Sequence, residues 1–362
     1  MSAIFFTGFP GFLGTELLTR ILLQEPDQRA ICLVQAKFSS LAASRLATIQ
    51  ESQPSLLGRV KLVEGDICQP DLGLNDPISI KQQTHEIFHL AALYDIRVGH
   101  DLATRVNVDG TQYVLDFAEG ISQLNRFQYV STCYVSGRHP GEFAEHELDC
   151  GQTFNNAYEA TKYQAEVEVQ RRMRGGLPTT IYRPSIVVGD SRTGETQKYD
   201  GPYFVIRWIL RQPFLAIFPV FGQPAQTRVN LVPRDFVVNA ITHLSRQSES
   251  TSKVYQLADP DPPTVDEFIS LIASVTNHRI LRIPMPIAAA RFAIQRVPGI
   301  ERLMRVPAAT LDYFVHPTHY RCDNTLHDLA SSNLTVPSLS SYLDRLVDFV
   351  KRHPQISSQP MA

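Results

Sequence analysis

Residues 3–14 read Ala-Ile-Phe-Phe-Thr-Gly-Phe-Pro-Gly-Phe-Leu-Gly, and this stretch decides the fold. The apolar run at 3–6 has the length and residue types of a buried strand. It leads into three spaced glycines, Gly8, Gly11 and Gly14. Leu13, Leu17, Leu18, Ile21 and Leu22 then recur at helical spacing and predict a helix near 12–24. A strand, a glycine turn and a helix N-terminus make an anion site. Unpaired backbone N–H groups and the positive end of the helix dipole converge there. Gly8 serves the tight turn, Gly11 the close approach of backbone to a pyrophosphate, and Gly14 the packing of helix on strand. Phe9, Phe12 and Leu13 fall on the same turn. A lone glycine repeat carries little; its place between a strand and a helix gives it meaning.

Outward from this unit the first half keeps the same rhythm. Short apolar runs at 3–6, 30–34, 60–63, 86–90, 127–131 and 179–182 predict strands. Helical patterns near 12–24, 39–50, 101–118 and 157–173 separate them. The alternation predicts an α/β chain with a doubly wound parallel sheet of Rossmann type, covered by helices on both faces. Ligands of such sheets lie at the carboxyl ends of the strands, where the winding reverses. Beyond about residue 190 prolines become frequent and strands sparse. We therefore expect a dinucleotide-binding domain over 1–190, with a segment near 230–258 returning to it through strands at 230–232 and 253–257. Residues 191–362 are expected to form a smaller, mostly helical substrate lobe, with helices near 264–275, 286–297 and 337–352. Residues 353–362 carry two prolines and are expected to fray.

The 362 residues are 43% hydrophobic and 19% charged, a globular balance. A net charge of −2 argues against nucleic acid or anionic lipid as a partner held by charge. The five cysteines (Cys32, Cys68, Cys133, Cys150, Cys322) show no C-x-x-C spacing. They fit free thiols in a reducing, cytoplasmic setting. The opening strand is not expected to be a signal peptide. The most apolar stretch, 203–221, is interrupted by Arg207, Arg211, Pro213 and Pro219. A transmembrane span needs roughly 20 apolar residues, so this stretch reads instead as the wall of an apolar substrate cavity or as a surface that meets a partner, with peripheral membrane contact a less favoured reading.

Two further patterns point to chemistry. The second strand ends Leu33-Val34-Gln35-Ala36-Lys37, with Arg45 further on. An Asp or Glu at this place would bind the ribose hydroxyls of NAD; a neutral amide with basic neighbours tolerates a 2′-phosphate better. NADP(H) is therefore favoured, with Lys37 and Arg45 near that phosphate and NAD(H) as the alternative. Asp66, followed by Ile67, comes after the third strand and is placed to accept a hydrogen bond from the adenine amine. Tyr158 and Lys162 stand four apart, on one face of the helix 157–173. An ammonium beside a phenol stabilises the phenolate and lowers a pKa that is ordinarily about 10. Tyr158 then protonates the oxygen as hydride reaches a carbonyl carbon. Thr132, at the end of the strand 127–131, holds that oxygen, with Ser131 in reserve.

With these residues in view, the chain resembles the extended short-chain dehydrogenases/reductases. The family pattern T-G-x-x-G-x-L-G is met by residues 7–14, and the strand-3 aspartate by Asp66. H-x-A-A is met by residues 89–92 and N-V-x-G-T by residues 107–111. Ser131-Thr132 and Tyr158 with Lys162 complete the set, in family order within the first 190 residues. Residues 182–194, Tyr-Arg-Pro-Ser-Ile-Val-Val-Gly-Asp-Ser-Arg-Thr-Gly, are similar to R-P-G-x-I-x-G-D-S-x-T-G of thioester reductases and fatty acyl-CoA reductases. This resemblance implies reduction of an acyl thioester to an aldehyde with NADPH, through a triad of Thr132, Tyr158 and Lys162. It implies a nicotinamide near Ala91, Ala92 and Lys162, covered by Pro184, Ser185 and Ile186. It also implies a small-molecule substrate, acyl or lipid-like, and a homodimer through paired helices. Two residues depart from the branch: Gln35 stands where it carries Arg, and Ser185 where it carries Gly.

Other readings remain open at this point. A sugar-nucleotide epimerase or dehydratase would hold NAD and use Arg228 and Arg234 on a diphosphate. A sterol-type alcohol dehydrogenase would run in the oxidative direction. A cofactor-bound scaffold or redox sensor would have no need to keep Thr132, Tyr158 and Lys162 together. His316-Pro317-Thr318-His319 supplies too few ligands for a zinc site. Cys133 has no partnered histidine in sequence, and Glu142, Glu145, Glu147 and Asp149 read as a solvated loop.

Overall fold

The computed structural model describes residues 3–94, 98–296 and 308–357. The first half runs β1 (Ala3–Thr7), α1 (Phe12–Gln24), β2 (Arg29–Val34), α2 (Ser39–Ser52), β3 (Val60–Glu64), α3 (Pro77–Gln83) and β4 (Thr84–His89). It continues through α4 (His100–Ala103), α5 (Gly110–Glu119), β5 (Arg126–Val130), β6 (Gly141–Phe143), α6 (Ala157–Arg174), β7 (Thr179–Pro184) and β8 (Ile186–Val188). The second half adds α7 (Pro202–Leu210), β9 (Leu215–Val220), β10 (Leu231–Pro233), α8 (Arg234–Ser245) and β11 (Val254–Leu257). Then come α9 (Val265–Thr276), β12 (Arg279–Pro284), α10 (Ile287–Arg296), β13 (Thr318–Tyr320) and two short helices, Asp323–Leu329 and Leu343–Arg352.

Seven strands form one sheet in the order β11-β7-β5-β4-β1-β2-β3, and every pairing in it is parallel. The winding reverses between β1 and β4. The loops leaving these neighbours diverge and open a crevice at their carboxyl ends. Helices cover both faces, which is why β1 and β7 are buried along their whole length; β1 reads as an apolar run up to Thr7, whereas β7 carries Thr179, Thr180 and Arg183 among its buried residues. Leu17 and Leu18 of α1 pack with Val237 and Ile241 of α8 on one face. Val114, Leu115 and Phe117 of α5 pack with Val169 of α6 on the other.

The sequence predicts one helix over 101–118. The structure places a π turn, Thr104–Asp109, between α4 and α5. Such a turn inserts a residue into the helical ladder and changes the direction of nearby side chains. Here it carries Asn107, which is buried. Asn107 accepts from the Leu93 N–H at 2.7 Å and donates to Thr161 Oγ1 of α6 at 3.0 Å. The loop after β4 is thereby tied to the helix that carries Tyr158.

Three further short parallel pairs form, β8 with β10, β9 with β12, and β6 with β13. The first and the last of them join the two halves of the chain. The expectation that 203–221 walls the substrate cavity is corrected. The stretch splits into α7 and β9, and Tyr203, Val205, Ile206, Ile209 and Phe218 fill a separate core with Phe268, Ile269 and Leu343. Only Phe204 of this stretch faces the large cavity described below. β9 alternates, with Ala216, Phe218 and Val220 turned inward and Leu215 and Ile217 exposed, as a strand with one packed face must. Part of the tail is held as well: the Tyr199 N–H donates to the Ser357 carbonyl at 3.1 Å. Residues 358–362 of the expected frayed tail, and 297 of the helix expected at 286–297, lie outside the described residues.

Candidate active site

The turn after β1 is closed around one carbonyl. Gly8 has φ of +95°, and its oxygen accepts the Gly11 N–H at 2.8 Å. A Cβ on Gly11 would lie 2.7 Å from that oxygen, and one on Gly14 2.5 Å from it. A Cβ on Gly8 would meet the Leu90 carbonyl carbon at 2.9 Å. Gly11 is the N-cap of α1; no side chain caps the first amides and no acid stands in the first turn. A cradle that no Cβ can enter, at an uncapped helix start, fits a nucleotide pyrophosphate. Arg45 donates from α2 to the Pro10 carbonyl of the same turn.

The tips of β1 and β4 are locked together by His89. The Thr7 hydroxyl oxygen accepts the Leu90 and Ala91 N–H groups, each at 3.2 Å. Its own proton therefore goes to His89 Nδ1, 2.7 Å away, and Nε2–H donates to Thr111 Oγ1 at 3.1 Å. Burial, aided by the charge of Lys162, pushes His89 down to about 3 and keeps the ring neutral.

At the end of β5 the chemical groups converge. Ser131 donates to Glu166 Oε2 at 2.5 Å and is committed there. Thr132 accepts the Tyr134 N–H at 3.3 Å and donates to the Pro184 carbonyl at 3.4 Å. Burial raises the Tyr158 pKa above its ordinary value, so the residue stays a neutral phenol that can donate. Lys162 is buried, and its amine donates to Tyr129 Oη at 2.9 Å and to the Val130 carbonyl at 3.0 Å. Burial lowers it to about 7, against the opposing pull of Glu166. The expectation that the Lys162 ammonium acidifies Tyr158 is corrected for this arrangement. The amine is engaged by Tyr129 and Val130, and desolvation dominates both groups.

A cavity of about 950 Å³ opens in front of these groups. Phe12, Leu13, Ala92, Thr132, Tyr158 and Lys162 line it, and so do Pro184, Ser185 and Ile186. Gly8, Phe9, Gly11, Gly14, Lys37, Asp66, Ile67 and Ala91 are not on its wall; Gly14 lies in the first turn of α1 and the others in the segments that follow β1, β2, β3 and β4. Asp66 accepts the Cys68 N–H at 2.9 Å. Burial acts to raise its carboxyl, but hydrogen bonds from Cys68 and Gln35 and the charge of Arg105 hold it below the usual range. Lys37 lies over the Phe38 ring, 4.9 Å from its centroid. Arg228 pairs with Asp261 at 2.9 Å, while Arg234 stacks on Phe12 and approaches Glu16 at 3.7 Å.

Several site residues were not visible in the sequence. Arg183 and Glu166 form a fully buried ion pair at 2.6 Å behind Ser131. Tyr129 receives Lys162, and Tyr94 packs edge-on against Tyr158 with ring centroids 4.9 Å apart. The solvated-loop reading of Glu142, Glu145, Glu147 and Asp149 is corrected at Glu145. That side chain is buried and accepts from the N–H groups of Gln256, Asn324 and Thr325. Cys133 is buried too, and burial pushes its thiol well up, away from nucleophilic use. These partners are far apart in sequence, so no spacing announces them. Among the described residues, no cluster of three or more His, Cys, Asp and Glu side chains could hold a metal, and no helix is long and apolar enough to cross a membrane.

Comparison with known proteins adds to this geometry. The sequence pattern of a NAD-binding family described as male sterility protein matches residues 6–241. The nonribosomal peptide synthetase asaC of Aspergillus flavus is 26% identical over 275 residues, covering 72% of this chain and 26% of its own length. The fatty acyl-CoA reductase wat of Drosophila melanogaster is 26% identical over 295 residues, covering 70% of this chain and 56% of its own length. The chain spans 5–28% of the length of the first relatives it matches. The terminal R domain of the myxalamid PKS-NRPS pathway superposes with a TM-score of 0.82 at 25% identity, covering 99% of this chain and 92% of that one.

Proposed function

The chain belongs to the NAD-binding male sterility protein family, in the thioester reductase branch of the extended short-chain dehydrogenases/reductases, and from that premise we propose that it reduces acyl thioesters with NADPH. One observation carries the reading: Thr132, Tyr158 and Lys162 line the wall of one cavity, together with Pro184, Ser185 and Ile186. The names of the relatives, a nonribosomal peptide synthetase and a fatty acyl-CoA reductase, support a carbonyl held as a thioester.

The glycine turn and the first amides of α1 hold the pyrophosphate, and Asp66 receives the adenine amine. Pro184, Ser185 and Ile186 cover the nicotinamide, with Ala91 and Ala92 beside it and Lys162 on its ribose. When bound, the nicotinamide supplies hydride to the carbonyl carbon. Thr132 donates to the carbonyl oxygen as negative charge grows on it, a contribution of about 3–4 kcal/mol for such donors. Tyr158 gives that oxygen its proton and is reprotonated from solvent. The hemithioacetal so formed breaks its C–S bond, and aldehyde and thiol leave. Gln35, Lys37 and Arg45, with no carboxylate at the end of β2, support the 2′-phosphate of NADPH over the free ribose of NADH. The lobe built from 191–362 would receive the acyl group.

The test mixes the purified protein with NADPH or NADH and a panel of acyl-CoAs, fatty aldehydes, ketosteroids and UDP-sugars, following nicotinamide absorbance. Thioester-dependent loss of NADPH is expected. Tyr158→Phe should lower kcat by about 10²- to 10⁴-fold with the fold retained. Unchanged turnover in that variant would remove Tyr158 from the chemistry.

A further inference from the structure

Among the described residues, β9 and β12 pair in parallel with each other and with no other strand. Their register sets Leu215 beside Arg279, Ile217 beside Leu281 and Pro219 beside Ile283. One face of this ribbon is packed. Ala216, Phe218 and Val220 join the second-half core, and Arg282 pairs with Asp266 at 3.3 Å. The other face is bare. Leu215, Ile217, Leu281 and Ile283, with Phe214 just before β9, are 39–62% exposed. Alternation along each strand puts these side chains on one side, as an apolar strip about 13 Å long. None of them lines the large cavity. A contiguous exposed strip of this kind marks a surface that meets something.

The charge around the strip is of one sign. Residues 203–221 and 277–296, which supply both strands and their flanks, hold six arginines and no Lys, Asp or Glu. The net charge of −2 for the whole chain conceals this local excess. Arg282 and Arg291 are paired, with Asp266 and Asp312. Arg279 stands on the bare face itself, its guanidinium 5.7 Å from the centroid of the Phe214 ring. The free edge of β9 is closed as well. The Ile217 N–H donates to Gln212 Oε1 at 2.9 Å, and the Ile217 carbonyl accepts from Gln212 Nε2 at 3.1 Å and from Trp208 Nε1 at 3.0 Å. Pro219, two residues on, has no N–H to offer. A strand from a protein partner therefore finds no ladder at this edge. A second copy on the bare face would bring arginine against a face with no acid to pair with it. A lipid surface requires neither a ladder nor an acid. It takes up apolar side chains whose backbone is already satisfied, and its phosphates attract arginine.

We propose that the bare face of the β9–β12 ribbon, with Phe214 at its end, docks on an anionic lipid membrane. Phe214, Leu215, Ile217, Leu281 and Ile283 enter the boundary between headgroups and acyl chains, and Arg279 stays at the level of the phosphates. The protein then lies on the bilayer without crossing it. The proposal is independent of the reductase reading, because it concerns binding and involves no residue of the cavity.

The experiment sediments the purified protein with vesicles of phosphatidylcholine alone, or of equal parts phosphatidylcholine and phosphatidylglycerol. The protein should pellet with the anionic vesicles, much less with the neutral ones, and less again as salt is raised. Leu281→Ser should weaken partition onto anionic vesicles about tenfold. Arg279→Gln should weaken it about fivefold, with little effect on neutral vesicles. These positions are exposed, so both variants should keep the parent's circular dichroism. Protein that stays in solution with both kinds of vesicle overturns the proposal. So does equal pelleting with neutral and anionic lipid, or pelleting that survives Ile217→Ser and Leu281→Ser together. A dimer that Leu281→Ser disperses, with no vesicle binding by the parent, assigns the face to a second copy and overturns it too.

Discussion

Lys162→Met isolates the effect of burying one amine. Lys162 is 3% exposed, and burial lowers its pKa from 10.5 to about 7. In the unfolded chain the group returns to about 10.4. Between these values the unfolded state binds a proton that the folded state does not. Stability therefore rises with pH across this window, at about 1.4 kcal/mol per pH unit. Below about pH 7 both states are protonated and the full penalty for the buried charge is present; above about pH 10.5 both are neutral and it is gone. From pH 7.5 to pH 9.5 the gain from this group is about 2–3 kcal/mol at most. Met keeps the aliphatic volume and removes the titration. It also leaves Tyr129 and Val130 without their donor, so the change of stability with pH, rather than its absolute value, is the test. Other groups titrate alike in both proteins and cancel in the difference. Urea unfolding can be followed through Trp208, the single tryptophan, which packs on the second-half core. The parent should gain about 2–3 kcal/mol more than Lys162→Met over this pH range. Parallel pH dependence in the two proteins would refute the buried amine.

Three further outcomes follow from the site. Gly14→Ala places a Cβ 2.5 Å from the Gly8 carbonyl oxygen and should weaken NADPH binding at least about tenfold, read from nicotinamide fluorescence, because backbone and not a flexible side chain must yield. Arg183→Met leaves Glu166 buried with only Ser131 and Gln170 as donors and should cost about 3–5 kcal/mol in urea unfolding. The double variant Arg183→Met with Glu166→Gln should cost less than the sum of the two single changes. Lys37→Glu puts a carboxylate at the end of β2 and should shift the ratio of NADPH to NADH affinity toward NADH by about tenfold, measured by titration of each dinucleotide.

The opening glycine unit was legible because its logic is local. Gly8, Gly11 and Gly14 crowd one carbonyl within seven residues, and the strand and helix around them follow from periodicity alone. The parallel sheet was legible for a related reason: short, mostly apolar strand segments alternate with helices whose apolar residues repeat at 3.6. Tyr158 and Lys162 could be placed on one helix face by their spacing, and Thr132 at a strand end by its position.

What those groups do to one another was decided elsewhere. Lys162 meets Tyr129, thirty-three residues away, and the same burial that brings them together keeps Tyr158 a neutral phenol. The π turn that inserts Asn107, the Arg183–Glu166 pair, the buried Glu145 and the ribbon of β9 and β12 likewise depend on segments that meet only in the folded chain. A sequence fixes which residues can lie on one face of a strand or helix, because backbone geometry is periodic. Desolvation and hydrogen bonding depend on distance in space, and distant segments set that distance only when they close around a common core.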